Sequence, residues 1–135
     1  MHSETARTRA KDGIVRTVRG IAAAHALETD IVYEPGYPVT VNDAAEAEFA
    51  AHTVAELHGE ERFAWADTPL PASEDFSRVL HEVPGALVTF GACSPGADPA
   101  HAAYNHSPHA VFDDTVLADG AALYAELALR RLAQP

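Results

Sequence analysis

Cationic side chains are scarce in this chain: nine Lys and Arg face twenty Asp and Glu, for a net charge of -11. Nucleic acid and anionic membranes would repel such a surface, so neither is expected as a partner. Cysteine is nearly absent. A lone Cys93 cannot build a disulfide framework, which fits a reducing cytoplasm. No apolar run reaches the ~18 residues of a membrane span. Met1 to Gly13 is polar and charged without an apolar core, unlike a secretory leader. Internal repeats and low-complexity tracts are missing too.

What is present suits a folded protein. Hydrophobic residues make up 47% of the chain, too many for a disordered one. A chain of this length can bury roughly two thirds of its unfolded surface. Charge is segregated: Arg7, Arg9, Lys11, Arg16 and Arg19 put five of the nine basic residues in the first predicted helix. The simplest reading of that stripe is a solvated face.

Four helices are legible. Ser3 can cap the first, in which Ile14, Val15, Val18, Ile21 and Ala22 recur at helical spacing toward Leu27. Asn42 or Asp43 can cap the second, with Phe49, Ala50, Val54 and Leu57 inward and Gly59 closing it. Ser73 is placed to cap a third, with Phe76, Val79, Leu80 and Val83 inward until Pro84-Gly85. Asp113 or Asp114 can cap the fourth, which is apolar nearly all round and is expected to pack deeply. Two segments read as strands. Thr29 to Glu34 alternates, and Ala86 to Phe90 is an unbroken apolar run of the kind buried on both faces of an α/β sheet. The fold class expected is therefore α/β. The break at Pro35 to Thr40 divides residues 1–36 from residues 37–135.

Chemistry concentrates in two places. Gly91 to Phe112 is a long loop, uncommon in a compact domain unless it does something. It holds His101, Asn105, His106, Ser107, Pro108 and His109. Imidazole is the commonest metal ligand, and Pro108 would stiffen the segment carrying His106. Most histidines nevertheless do other work. His101, His106 and His109, three histidines within nine residues, suggest a self-contained metal cluster; zinc spacings usually pair a close couple with a distant one, and the second couple is missing, which makes this the weaker reading. The flanking two read as solvent residues, or His101 as a secondary contact. The second place is Ser73-Glu74-Asp75-Phe76, two carboxylates at a helix start. Acids in a first turn are usually there for the helix dipole; the alternative is a substrate-side or metal-proximal pair. Cys93 lacks the surroundings of a nucleophile and reads as a half-buried residue at a strand end.

In order, Val18-Arg19-Gly20-Ile21-Ala22-Ala23-Ala24-His25, Tyr37-Pro38-Val39-Thr40-Val41-Asn42-Asp43, Ser73-Glu74-Asp75-Phe76, Val83-Pro84-Gly85-Ala86, Phe90-Gly91, Asn105-His106-Ser107-Pro108 and Phe112-Asp113-Asp114 resemble the carboxy-terminal portion of the zinc-dependent aminoacylase, hippurate hydrolase and amidohydrolase-type metallopeptidase family. That resemblance implies a partial three-layer α/β catalytic domain, a mixed sheet flanked by helices, over residues 37–135. It also implies that residues 1–36 are the end of an inserted α+β, ferredoxin-like dimerisation (lid) domain. Such enzymes hold two divalent metal ions, zinc or manganese, cobalt or nickel, and a metal-bound water attacks an amide with a glutamate as general base. His106 matches the ligand nearest the carboxy terminus. Ser73, Glu74, Asp75 and Asn105 match positions near the metals or the substrate, whereas Cys93 matches no ligand. The other ligands and the general base have no counterpart here. The resemblance thus implies a carboxy-terminal fragment or split subunit, inactive alone, whose partner is the missing amino-terminal half. It further implies homo-oligomerisation or aggregation through uncovered apolar surface. A non-catalytic oligomerisation or binding remnant is the alternative.

Overall fold

The computed structural model describes residues 3–70 and 72–133. Met1, His2, Pro71, Gln134 and Pro135 lie outside it, including one of the two prolines of the loop before the third helix. About half the chain is helical: α1 (Glu4–Ala24), α2 (Ala44–His58), α3 (Ser77–Glu82) and α4 (Leu117–Leu132), with 3-10 turns at Glu60–Arg62 and Asp114–Val116. The chain divides into two compact units, Met1–Ala44 with Trp65–Ala86, and Ala45–Ala64 with Leu87–Pro135.

In the first unit, Ser3 caps α1 as expected, its hydroxyl accepting from the Ala6 amide at 3.1 Å. The helix stops where Ala26 turns left-handed (φ 55°) and the Leu27 amide reaches back to the Ala22 carbonyl at 2.9 Å. The following segment folds back along α1. Glu4 accepts from the Val39 amide at 2.9 Å, Arg7 donates to the Pro35 carbonyl, and the Lys11 ammonium lies 5.1 Å from the Tyr33 ring centroid. The Val39 amide, with Arg7 behind it, holds the Glu4 carboxyl below its ordinary range. Farther along, the Asp43 amide bonds the Gly85 carbonyl at 2.9 Å.

In the second unit, Gly59 at φ 100° ends α2, its amide bonded to the Ala55 carbonyl at 2.9 Å. Arg130 reaches from α4 to Glu56 and, at 2.7 Å, to Glu126. Arg131 bonds Glu46 and covers the Phe49 ring at 4.3 Å. Arg62 meets Asp119 at 3.2 Å. Asp113 opens the approach to α4 by accepting from the Thr115 amide at 3.0 Å, one of the two caps the sequence offers. The Thr115 hydroxyl and amide together lower the Asp113 carboxyl.

Three expectations are corrected. Among the described residues no strand forms at Thr29 to Glu34 or Ala86 to Phe90; the sole β-bridge joins Cys93 and Phe112. A strand exists only against a ladder partner, and these segments find none among the described residues. Among the described residues, about half of which are helical, the expected sheet is not formed. Next, α3 begins at Ser77 rather than at a Ser73 cap. Glu74 captures the turn instead, its carboxylate accepting from the Phe76 amide at 3.3 Å and its carbonyl from the Ser77 hydroxyl at 2.6 Å. Finally, α4 is not deeply packed. None of its residues is buried, and Tyr124 is 80% exposed, because its apolar circumference exceeds what the second unit covers. Leu57, Val79 and Val83, expected inward, are likewise exposed.

Candidate functional site

The long loop is built from consecutive turns inside a closed neck. Its ends meet at the Cys93–Phe112 bridge, reinforced by the Asp113 amide on the Ala92 carbonyl at 3.0 Å. Gly96, at φ 81°, allows the first turn, closed by the Ala97 amide on the Ser94 carbonyl at 3.0 Å. The next is organised by Asp98. Its carboxylate accepts from the Ala100 amide at 2.9 Å and meets His101 Nδ1 at 2.7 Å. The imidazole bond and then the amide lower the Asp98 carboxyl. The Ser107 amide on the Tyr104 carbonyl, at 2.8 Å, closes a turn that carries Asn105 and His106. Ser107 Oγ then accepts from the His109 amide at 3.1 Å.

His106 therefore sits at an exposed turn with its ring 5.5 Å from that of Tyr104, tilted by 59°. Asn105 shares the turn. His101 is exposed to solvent, as expected, and is also bonded to Asp98. That pairing went unread in the sequence, although Asp98-Pro99-Ala100-His101 has the spacing of a side-chain-capped turn. Cys93 is exposed rather than half-buried, its thiol 4.0 Å from the Ala97 carbonyl. Ser73, Glu74 and Asp75 lie together in the other unit, where Ser73 and Asp75 are exposed and Glu74 is half-buried.

A catalytic or structural zinc needs about three protein donors at least. Among the described residues, no three or more His, Cys, Asp or Glu side chains are grouped so as to hold a metal ion. The idea of a cluster of His101, His106 and His109 is corrected accordingly: each belongs to its own local turn, and His101 already has a carboxylate partner. The donors described here do not fit a complete metal centre. No helix among the described residues is long and apolar enough to cross a membrane.

Residues 2–130 match Peptidase family M20/M25/M40. The chain is 33% identical over 122 residues to a hippurate hydrolase of Campylobacter jejuni, covering 90% of this chain and 30% of that protein. It is 35% identical over 103 residues to the IAA-amino acid hydrolase ILR1-like 4 of Arabidopsis thaliana, covering 73% of this chain and 22% of that protein. The chain thus spans less than a third of the length of either relative. No solved structure matches it.

Proposed function

Because this chain belongs to peptidase family M20/M25/M40, a family of generally metal-dependent enzymes, we propose that it forms the carboxy-terminal part of an amidohydrolase acting on N-acyl amino acids or related amides. The substrate class follows from the names of the two relatives, each a hydrolase of an acylated amino acid. The observation that carries the reading is the Asn105-His106-Ser107-Pro108 turn, held in a loop with a fixed neck inside the matched residues.

In this reading His106 is one imidazole donor to a centre of two divalent metals, zinc or a similar ion. The remaining donors and the general base come from protein outside these residues. By the family resemblance Ser73, Glu74, Asp75 and Asn105 are assigned, in the complete enzyme, either to the substrate side or to positions behind the metal donors. Residues 1–36 are the end of the lid domain and 37–135 the catalytic part. Thr29 to Glu34 and Ala86 to Phe90 become strands of a mixed sheet once they gain ladder partners. The protein works in the cytoplasm and is inactive without the donor-bearing half.

The test is complementation. The chain is co-expressed with the amino-terminal portion of the Campylobacter hippurate hydrolase, and release of glycine from hippurate is measured with zinc, manganese or cobalt. Activity that needs both pieces and His106 supports the proposal. Activity of the pair that is untouched by His106→Ala removes it.

A further inference from the structure

We propose that Glu4 of α1 and His81 of α3 form a pH-dependent latch on the backbone of Val39. Residues 27–43 lie outside every helix and ladder, so their amides and carbonyls need partners elsewhere. Val39, half-buried, finds both of its partners in titratable side chains. Its amide donates to a Glu4 carboxylate oxygen at 2.9 Å, and its carbonyl stands 3.4 Å from His81 Nε2. All three residues belong to the first compact unit. The rest of the returning segment is fastened by other means. Arg7 donates to the Pro35 carbonyl, Lys11 lies over the Tyr33 ring, and the Arg78 guanidinium is 5.5 Å from the Tyr37 ring centroid. Guanidinium, ammonium and phenol groups do not ordinarily titrate between about pH 4 and 8. Over that span the latch can change only at its carboxylate and its imidazole.

The two jaws respond with opposite sign. An ionised carboxylate accepts the Val39 amide strongly; protonation weakens that bond. The Val39 amide first, then Arg7 and His81, hold the Glu4 carboxyl below its ordinary range, so this jaw fails only in acid. At the other jaw a carbonyl can only accept, so the ring must donate from Nε2. A neutral imidazole does so in one of its two tautomers. A protonated one always does, through a charge-assisted bond, and places a positive charge beside Glu4. Closure is therefore greatest in mild acid, about pH 5 to 6, between the carboxylate range and the range in which imidazoles lose their charge. Val39 lies within the Pro35 to Thr40 break, so the latch governs how firmly the chain leaving α1 is tied to α3. The inference stands apart from the hydrolase reading, since it is measured on this chain alone.

Hydrogen exchange of the Val39 amide in the full 135-residue chain, followed by NMR from pH 4 to 8 and divided by the intrinsic rate at each pH, tests it. Protection is expected to peak in mild acid and to fall at least about threefold toward each end, the scale of an exposed charged contact. Glu4→Gln is expected to remove the acid limb and leave the neutral one. His81→Gln keeps a donor that no longer titrates, and is expected to remove the neutral limb and leave the acid one. His81→Ala is expected to lower protection across the whole range. Amides inside α1 report general unfolding in the same spectra. Protection of Val39 that is level with pH, that only follows the α1 amides, or that keeps both limbs in the two glutamine variants would each overturn the proposal. Where circular dichroism shows that a variant has lost helix, the unsubstituted chain decides by the contrast between Val39 and α1.

Discussion

Phe90 lies over Gly120: a β-carbon built on that glycine would stand 3.6 Å from the ring, an ordinary van der Waals distance. The glycine is inside α4, where it carries the usual entropic cost of a flexible residue in a helix. Gly120→Ala is therefore expected to raise stability by about 0.5–1 kcal/mol. Urea unfolding followed by circular dichroism checks this; a loss of stability would mean that Phe90 cannot hold its place above the added methyl.

Gly59 gives the opposite sign. Its φ of 100° is one that other residues rarely adopt, and a β-carbon there would come within 2.6 Å of a Glu61 carboxylate oxygen. The carboxylate can swing away, but the backbone cannot, so Gly59→Ala is expected to cost about 1–2 kcal/mol in the same assay. Adding Glu61→Ala is expected to return only a minor part of that loss.

Acid should loosen the return of the chain along α1. Glu4 has its carboxyl lowered in the folded state by the Val39 amide and Arg7. A lowered carboxyl contributes stability that is fully present above its unfolded pKa and disappears as pH falls through the folded one. Stability measured from neutral pH downward is expected to decline below the ordinary glutamate range. Glu4→Gln is expected to flatten that decline and leave the neutral end with the lower plateau.

Metal dependence should require a second piece. Calorimetric titration of the chain alone with zinc is expected to show no micromolar site, and His106→Ala is expected to leave the trace unchanged. In the complemented hydrolase, His106→Ala is expected to reduce glycine release by about a hundredfold or more, and added metal should not recover it.

The helices were legible because their signals are local. Ser3, Gly59 and Asp113 act at element ends as their residue types suggest, since a cap or a left-handed turn needs only neighbours along the chain. Ser73 misled for a related reason: Glu74, also polar and one residue on, takes the Phe76 amide with its carboxylate and the Ser77 hydroxyl with its carbonyl. Ala86 to Phe90 has the composition of a buried strand, but composition cannot supply a neighbouring strand. The apolar circumference of α4 was visible; which side of it would be covered was not, because that depends on distant partners such as Phe90 and Glu56. At the candidate site, the sequence singled out His106 and missed Asp98, whose bond to His101 is made only once the intervening turn has formed.

The Cys93–Phe112 neck has a consequence for variation. With both ends fixed at one point, the span between them behaves as a replaceable cassette. Closing a doubled span would cost only about 0.6 kcal/mol more in chain entropy. Insertions and exchanges between Ser94 and Ala103 can thus reshape what the loop presents while the Asn105-His106-Ser107-Pro108 turn and α4 are retained.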